Sequence, residues 1–146
     1  MDEVRTKAQR KADVLAKLSA PVADCWVATD GPYLVPLTAA WIEERVVLAT
    51  DQRSPTARNL AGKGVARVAF GGTRDVVMID ARLERTVAVG ESGAMGAAYA
   101  AQNDWDPRTA GDSYVFLVLR PERIQAWREV NEHPGRTIMR DGEWLT

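Results

Sequence analysis

Between positions 3 and 18, apolar residues return about once per helical turn. Val4, Ala8, Ala12, Leu15 and Leu18 fall on one stripe with charges between them, which predicts an amphipathic helix within residues 1–19. Its basic residues read as a solvated face, and Ala20-Pro21 ends it. From Asp24 the period shortens to two. Asp24 to Thr29 reads as a strand, Asp30-Gly31-Pro32 as a turn, and Tyr33 to Trp41 as a second strand. Pro36 removes a ladder donor there, so it marks an edge or a bulge. Ile42-Glu43-Glu44-Arg45 turns the chain into a third strand, Val46 to Thr50. Ser54-Pro55 reads as an N-cap followed by proline at the first helical position. That helix covers 55–61 and stops near Gly62 and Gly64.

Val65 to Phe70 is a fourth strand, Gly71 to Arg74 a turn, and Asp75 to Val89 a long fifth strand. Arg82, Glu84 and Arg85 wet one face of its second half. A small-residue helix is predicted from Glu91 to Gln102, weakened at Gly93 and Gly96 by roughly 1 kcal/mol each relative to alanine. Asn103 to Asp112 is a polar loop. Tyr114 to Leu119 is continuously apolar and reads as a buried strand. Arg120-Pro121-Glu122 breaks it before a further strand, Arg123 to Trp127. Thr137 to Leu145 predicts a hairpin about Asp141-Gly142. Six or seven strands with few helices predict a mainly antiparallel β-barrel with helices at its ends, forming one domain over 1–146.

Composition narrows the function. The 46% hydrophobic and 27% charged content is that of an ordinary soluble domain. A net charge of −1 gives no general attraction to nucleic acid or to an acidic membrane. Cys25 is the single cysteine, which excludes an internal disulfide and fits a reducing compartment. It lies in an apolar run and reads as a core residue, not a nucleophile. His133 is the only histidine. One His and one Cys do not make a usual zinc site, and a Ser-His-Asp triad would have to rest on a turn residue beside Pro134. Met1-Asp2-Glu3-Val4-Arg5 lacks the apolar core of a signal peptide, and no apolar run approaches the roughly 20 residues of a membrane helix. The expectation is a cytoplasmic protein.

The window Ala49 to Leu60 carries the most chemistry. A strand ends in Thr50, and Ser54 caps a helix that holds Arg58 and Asn59. A helix N-terminus offers free N–H groups and the positive end of its dipole, so the window suits a phosphate. From the window alone, an ordinary capped helix with a surface arginine is the simpler reading. Asn59 has its own alternative, a hydrogen bond to a turn.

The order of these pieces resembles the flavin-binding split barrels, the pyridoxamine 5′-phosphate oxidase-like proteins that include deazaflavin (F420) reductases. The resemblance is carried by Asp30-Gly31, Pro36, Thr50 and Ser-x-x-x-Arg-Asn-Leu at 54–60. In the C-terminal half it is carried by Arg120-Pro121-Glu122-Arg123-Ile124, Ala126-Trp127 and Gly142-Glu143-Trp144. It implies an antiparallel split barrel of the FMN-binding type. It also implies a homodimer with two cofactors between the subunits, FMN as cofactor with F420 as the alternative, and hydride transfer with a small-molecule substrate. A non-catalytic flavin-binding or cofactor-free barrel is the rival of another class. The resemblance places Thr50, Ser54, Arg58 and Asn59 at the phosphate. It places the backbone of Pro36, Leu37, Leu48, Ala49 and Thr50 along the isoalloxazine edge, and Trp127 of the partner subunit near the ring.

An F420 tail would want a basic groove, for which Lys63, Arg67 and Arg74 are candidates. There are two departures. Thr56 stands where many relatives have a lysine, and nothing matches the oxidase's C-terminal arginine-leucine-histidine cluster, so true pyridoxamine phosphate oxidase activity is not expected. Arg74-Asp75 reads as an ion pair at the barrel rim or as a cofactor contact. Trp26, Trp41, Trp105 and Trp144 read as core or interface. Tyr33 and Tyr114 are core residues or proton donors. No residue demands a catalytic role.

Overall fold

A computed structural model describes residues 1–146. Its first element, α1 (Lys7–Leu18), begins later than the apolar stripe suggests because Thr6 and Gln9 form a capping box. The Gln9 N–H donates to Thr6 Oγ1 at 3.1 Å, and the Thr6 N–H to Gln9 Oε1 at 2.8 Å. The buried stripe also differs: Arg10, Val14 and Leu18 face the protein, while Val4, Ala8 and Ala12 face solvent. Alanines bury too little area to orient a helix against Val14 and Leu18. Arg10 is tolerated inside because its Nη1 donates to the carbonyls of Ala126 and Glu132, each at 3.0 Å.

Six strands close the barrel: β1 (Ala23–Thr29), β2 (Tyr33–Ile42), β3 (Arg45–Asp51), β4 (Val65–Phe70), β5 (Val76–Ala88) and β6 (Tyr114–Trp127). They run antiparallel in the order β3-β2-β1-β4-β5-β6, and β6 returns onto β3. Pro121 does not break β6 as the sequence suggests. Asp80 pairs with Arg123 and Ala81 with Pro121, so Glu122 is the extra residue of a β-bulge. A terminal hairpin, β7 (Thr137–Arg140) and β8 (Glu143–Trp144), extends the sheet through the expected Asp141-Gly142 turn.

Inward positions of the strands form the main core, including Cys25, Val27, Leu48, Val68, Ile79, Leu117 and Ile124. Val14 and Leu18 of α1, and Ala57 and Leu60 of α2 (Pro55–Lys63), pack onto that core. A smaller cluster of Ala40, Val47, Ala49, Phe116 and Val118 includes Tyr99 of α3 (Ala94–Asn103). Gly96 of the same helix packs against Ser92 and Arg108, so it is more than a weak point in α3. A Cβ there would collide with Ser92 Oγ and lie 2.8 Å from Arg108 Cδ. No helix is long and apolar enough to cross a membrane.

One seam of the barrel is incomplete. β2 and β3 pair from Ile42↔Arg45 only as far as Ala39↔Leu48. Beyond that point β2 continues on β1 to Thr29↔Tyr33, and β3 continues on β6 to Asp51↔Tyr114. The two strands part, leaving the facing edges of residues 33–38 and 49–51 without ladder partners in each other.

Candidate functional site

The parted seam organises the candidate residues. At the end of β3, Thr50 Oγ1 donates to Ser54 Oγ at 3.2 Å. Ser54 Oγ in turn accepts the Ala57 N–H at 3.1 Å, which makes it the N-cap of α2. The Arg58 N–H bonds the Ser54 carbonyl at 3.0 Å. Pro55 has no N–H, so the only first-turn donor left without a partner in the chain is the Thr56 N–H. The Arg58 side chain is exposed and makes no ion pair, unlike Arg53, which is held by Asp51 at 2.9 Å. Hydrogen bonds from Arg53 and Ser113 hold the Asp51 carboxyl well below the usual carboxylate range. The start of α2 therefore presents one unneutralised guanidinium beside the Thr50–Ser54 hydroxyl pair, groups suited to an anion, while the Thr56 N–H lies in a residue that is almost fully buried.

Asn59 is engaged elsewhere. Its Nδ2 donates to Thr29 Oγ1 at 3.1 Å and to the Asp30 carbonyl at 2.9 Å. It ties α2 to the β1–β2 turn, the turn hydrogen bond that the sequence offered as its alternative. Thr56 is 2% exposed. A lysine in its place, as in many relatives, would be directed into the core.

On the β2 side, Pro36 and Leu37 line a cavity of about 560 Å³ together with Asp24, Cys25, Trp26, Thr38, Ala69 and Gly71. Leu48 is fully buried and pairs with both Ala39 and Leu117, so it does not reach the open edge as the resemblance implies; the edge begins at Ala49, whose side chain is buried. Cys25 is buried as expected, and desolvation followed by the field of Asp24 pushes its thiol up to about 12. Tyr99, which the sequence did not single out, donates its hydroxyl to the Thr38 carbonyl at 2.9 Å on the parted stretch of β2. Asp24 and Trp26 were also missed as site residues. The signal was present: with Cys25 inside, period two puts both neighbours outside.

Trp127 lies at the other end of β6, edge-on to His133 with ring centroids 5.7 Å apart, in a cavity shared with Arg74 and Arg128. Thr50 pairs with Val115, so about a dozen residues of β6, up to roughly 40 Å of strand, separate the two places. One protomer does not bring Trp127 to the α2 cap. The three basic-groove candidates are all neutralised: Lys63 by Asp30 at 3.4 Å, Arg67 by Asp80 at 2.6 Å and Arg74 by Glu129 at 3.3 Å. Arg74 and Asp75 do not pair with each other, because Asp75 faces Lys17 at 3.0 Å and Arg128 at 3.4 Å.

This closed antiparallel barrel with a parted seam is a split barrel, the architecture of flavin- and deazaflavin-binding proteins. No family model matches the sequence, and no curated protein does. Solved structures do match. An F420 reductase is 18% identical, with 75% of this chain and 93% of that one covered and a TM-score of 0.62. A heme-binding protein from Mycobacterium smegmatis is 18% identical, with a TM-score of 0.67 over 97% of this chain and 60% of that one. An FAD-binding protein from Mesorhizobium loti is 17% identical, with a TM-score of 0.59 over 78% and 89%. At these identities the likeness establishes the fold.

Proposed function

We propose that this chain is a homodimeric, FMN-binding oxidoreductase of the split-barrel type. The observation that carries the reading is the start of α2, where Arg58 has no carboxylate partner, directly beside the parted seam. These residues fit the phosphate end of a flavin mononucleotide. Arg58 would supply the charge, and Thr50 and Ser54 hydroxyl contacts. The backbone of Pro36, Leu37, Ala49 and Thr50 would meet the edge of the ring. Asn59 would act by fixing α2 in place. When bound, the ring accepts or gives a hydride, and the protein supplies position and a dry wall.

Two features support a dimer. Trp127 stands too far along β6 to serve the seam of its own protomer, so a partner's copy would have to supply it. Leu34 is 60% exposed, a large apolar side chain on β2 that a second copy would cover. FMN is favoured over F420 because Lys63, Arg67 and Arg74 are all ion-paired, leaving no free basic groove for a long anionic tail. The lone buried cysteine agrees with a cytoplasmic setting. The decisive experiment is mass spectrometry of the cofactor released from purified protein, with light scattering of the same sample. FMN from a particle of about twice 16.0 kDa is expected. A folded monomer that takes up no added FMN would overturn the proposal.

A further inference from the structure

The cavity beside Pro36 and Leu37 carries a single charge, Asp24, and no basic side chain lines it. That carboxylate is unusual within the barrel. Of the acidic residues on the six barrel strands, Asp51, Asp80, Glu84 and Glu122 each have an arginine partner, and Asp24 has none. Its side chain accepts one hydrogen bond, from Thr38 Oγ1 at 2.9 Å. Next to it on β1, across Cys25, stands Trp26 with 53% of its surface open. Trp26 pairs with Pro36 on one side and Ala69 on the other, so an apolar wall adjoins the carboxylate.

An unneutralised carboxylate next to an open indole complements one chemistry. A cationic nitrogen gains a charge-assisted hydrogen bond from the acid, while the apolar body and the cation both gain from the aromatic face. An anion of the same shape would have to share the cavity with Asp24 and lose that attraction. We infer that this cavity binds a small apolar amine in its ammonium form, with Asp24 as the charge partner and Trp26 as the wall. The binding of that amine stands independently of the flavin reading above.

The test is calorimetry on the full chain at pH 7 with benzylamine, benzyl alcohol and benzoate as matched probes. Benzylamine is expected to bind about tenfold or more tightly than either of the others. Asp24→Asn should erase that preference, leaving benzylamine level with benzyl alcohol, and Trp26→Ala should weaken benzylamine and benzyl alcohol together. Circular dichroism checks that each variant is folded. The inference is overturned if folded protein binds no benzylamine, prefers benzoate, or holds benzylamine equally well as Asp24→Asn. FMN titration of the same samples separates the two readings: amine selectivity without FMN uptake upholds the cavity and removes the flavin, while FMN uptake without amine selectivity does the reverse.

Discussion

The two ends of the barrel spend their arginines differently. Where α1 meets the segment after β6, charge is buried and saturated. Arg5 Nη2 lies 2.7 Å from Glu132 Oε1 and its Nη1 lies 2.8 Å from Asp13 Oδ2. The backbone N–H groups of Arg5 and Arg128 also donate to Glu132, each at 2.9 Å, and Arg10 closes the group through carbonyls. Bonds from Arg5 hold the Glu132 carboxyl down at about 2 against desolvation. At the α2 cap the opposite holds: Arg58 is exposed and pairs with nothing. A saturated cluster has no capacity left for a ligand, and an unsaturated cation contributes little to folding. The contrast separates charge that builds the protein from charge available to something outside it.

The strongest way to break this contrast is at the buried end. Glu132→Ala removes the buried carboxylate at the centre of this cluster, leaves Arg5 with Asp13 as its close partner, and should cost about 3–5 kcal/mol, read by chemical denaturation. Because folding depresses the Glu132 pKa, its contribution is complete above the unfolded value of 4.5 and fades as pH falls toward about 2. Glu132→Gln should lose that acid-side slope in stability; an unchanged slope would mean that other carboxylates carry it.

Arg58→Ala should do the reverse. Stability should stay within about 0.5 kcal/mol of wild type, while FMN affinity falls roughly 10- to 150-fold, the scale of a hydrogen bond to a charged group. Equal FMN affinity in the folded variant would return Arg58 to the ordinary surface. The smallest effect sharpens the distinction. Lys63→Ala, on the same helix but paired with Asp30, should alter stability by less than about 0.5 kcal/mol and leave FMN titration nearly unchanged. A loss as large as that of Arg58→Ala would show that general positive charge, not an unpaired guanidinium, attracts the anion.

Most of the strands and the Ser54 cap were legible because each is written in neighbouring residues: period two, Asp30-Gly31-Pro32, Ser54-Pro55 and Asp141-Gly142. Partners distant in sequence were not. Arg10 looked solvated because nothing near it in the chain reveals the carbonyls of Ala126 and Glu132. Arg74 and Asp75 looked paired because they are adjacent, yet each has a nearer partner in space. Pro121 looked like a break because a bulge is a property of two strands, visible only once β5 is laid beside β6. Of the candidate site, the cap could be read locally. The Trp26–Asp24 cavity could not, because its walls come from three strands.

The cluster at Glu132 also imposes an order on the life of the chain. Arg5 leaves the ribosome 127 residues before its partner carboxylate exists. Until then α1 has its capping box and its own turns, but neither the carboxylate nor the carbonyls that make Arg10 acceptable inside the protein. An isolated helix of 12 residues is marginal in water. Docking of the first helix therefore waits on a segment made 127 residues later, and the barrel it caps stays open at that end until then.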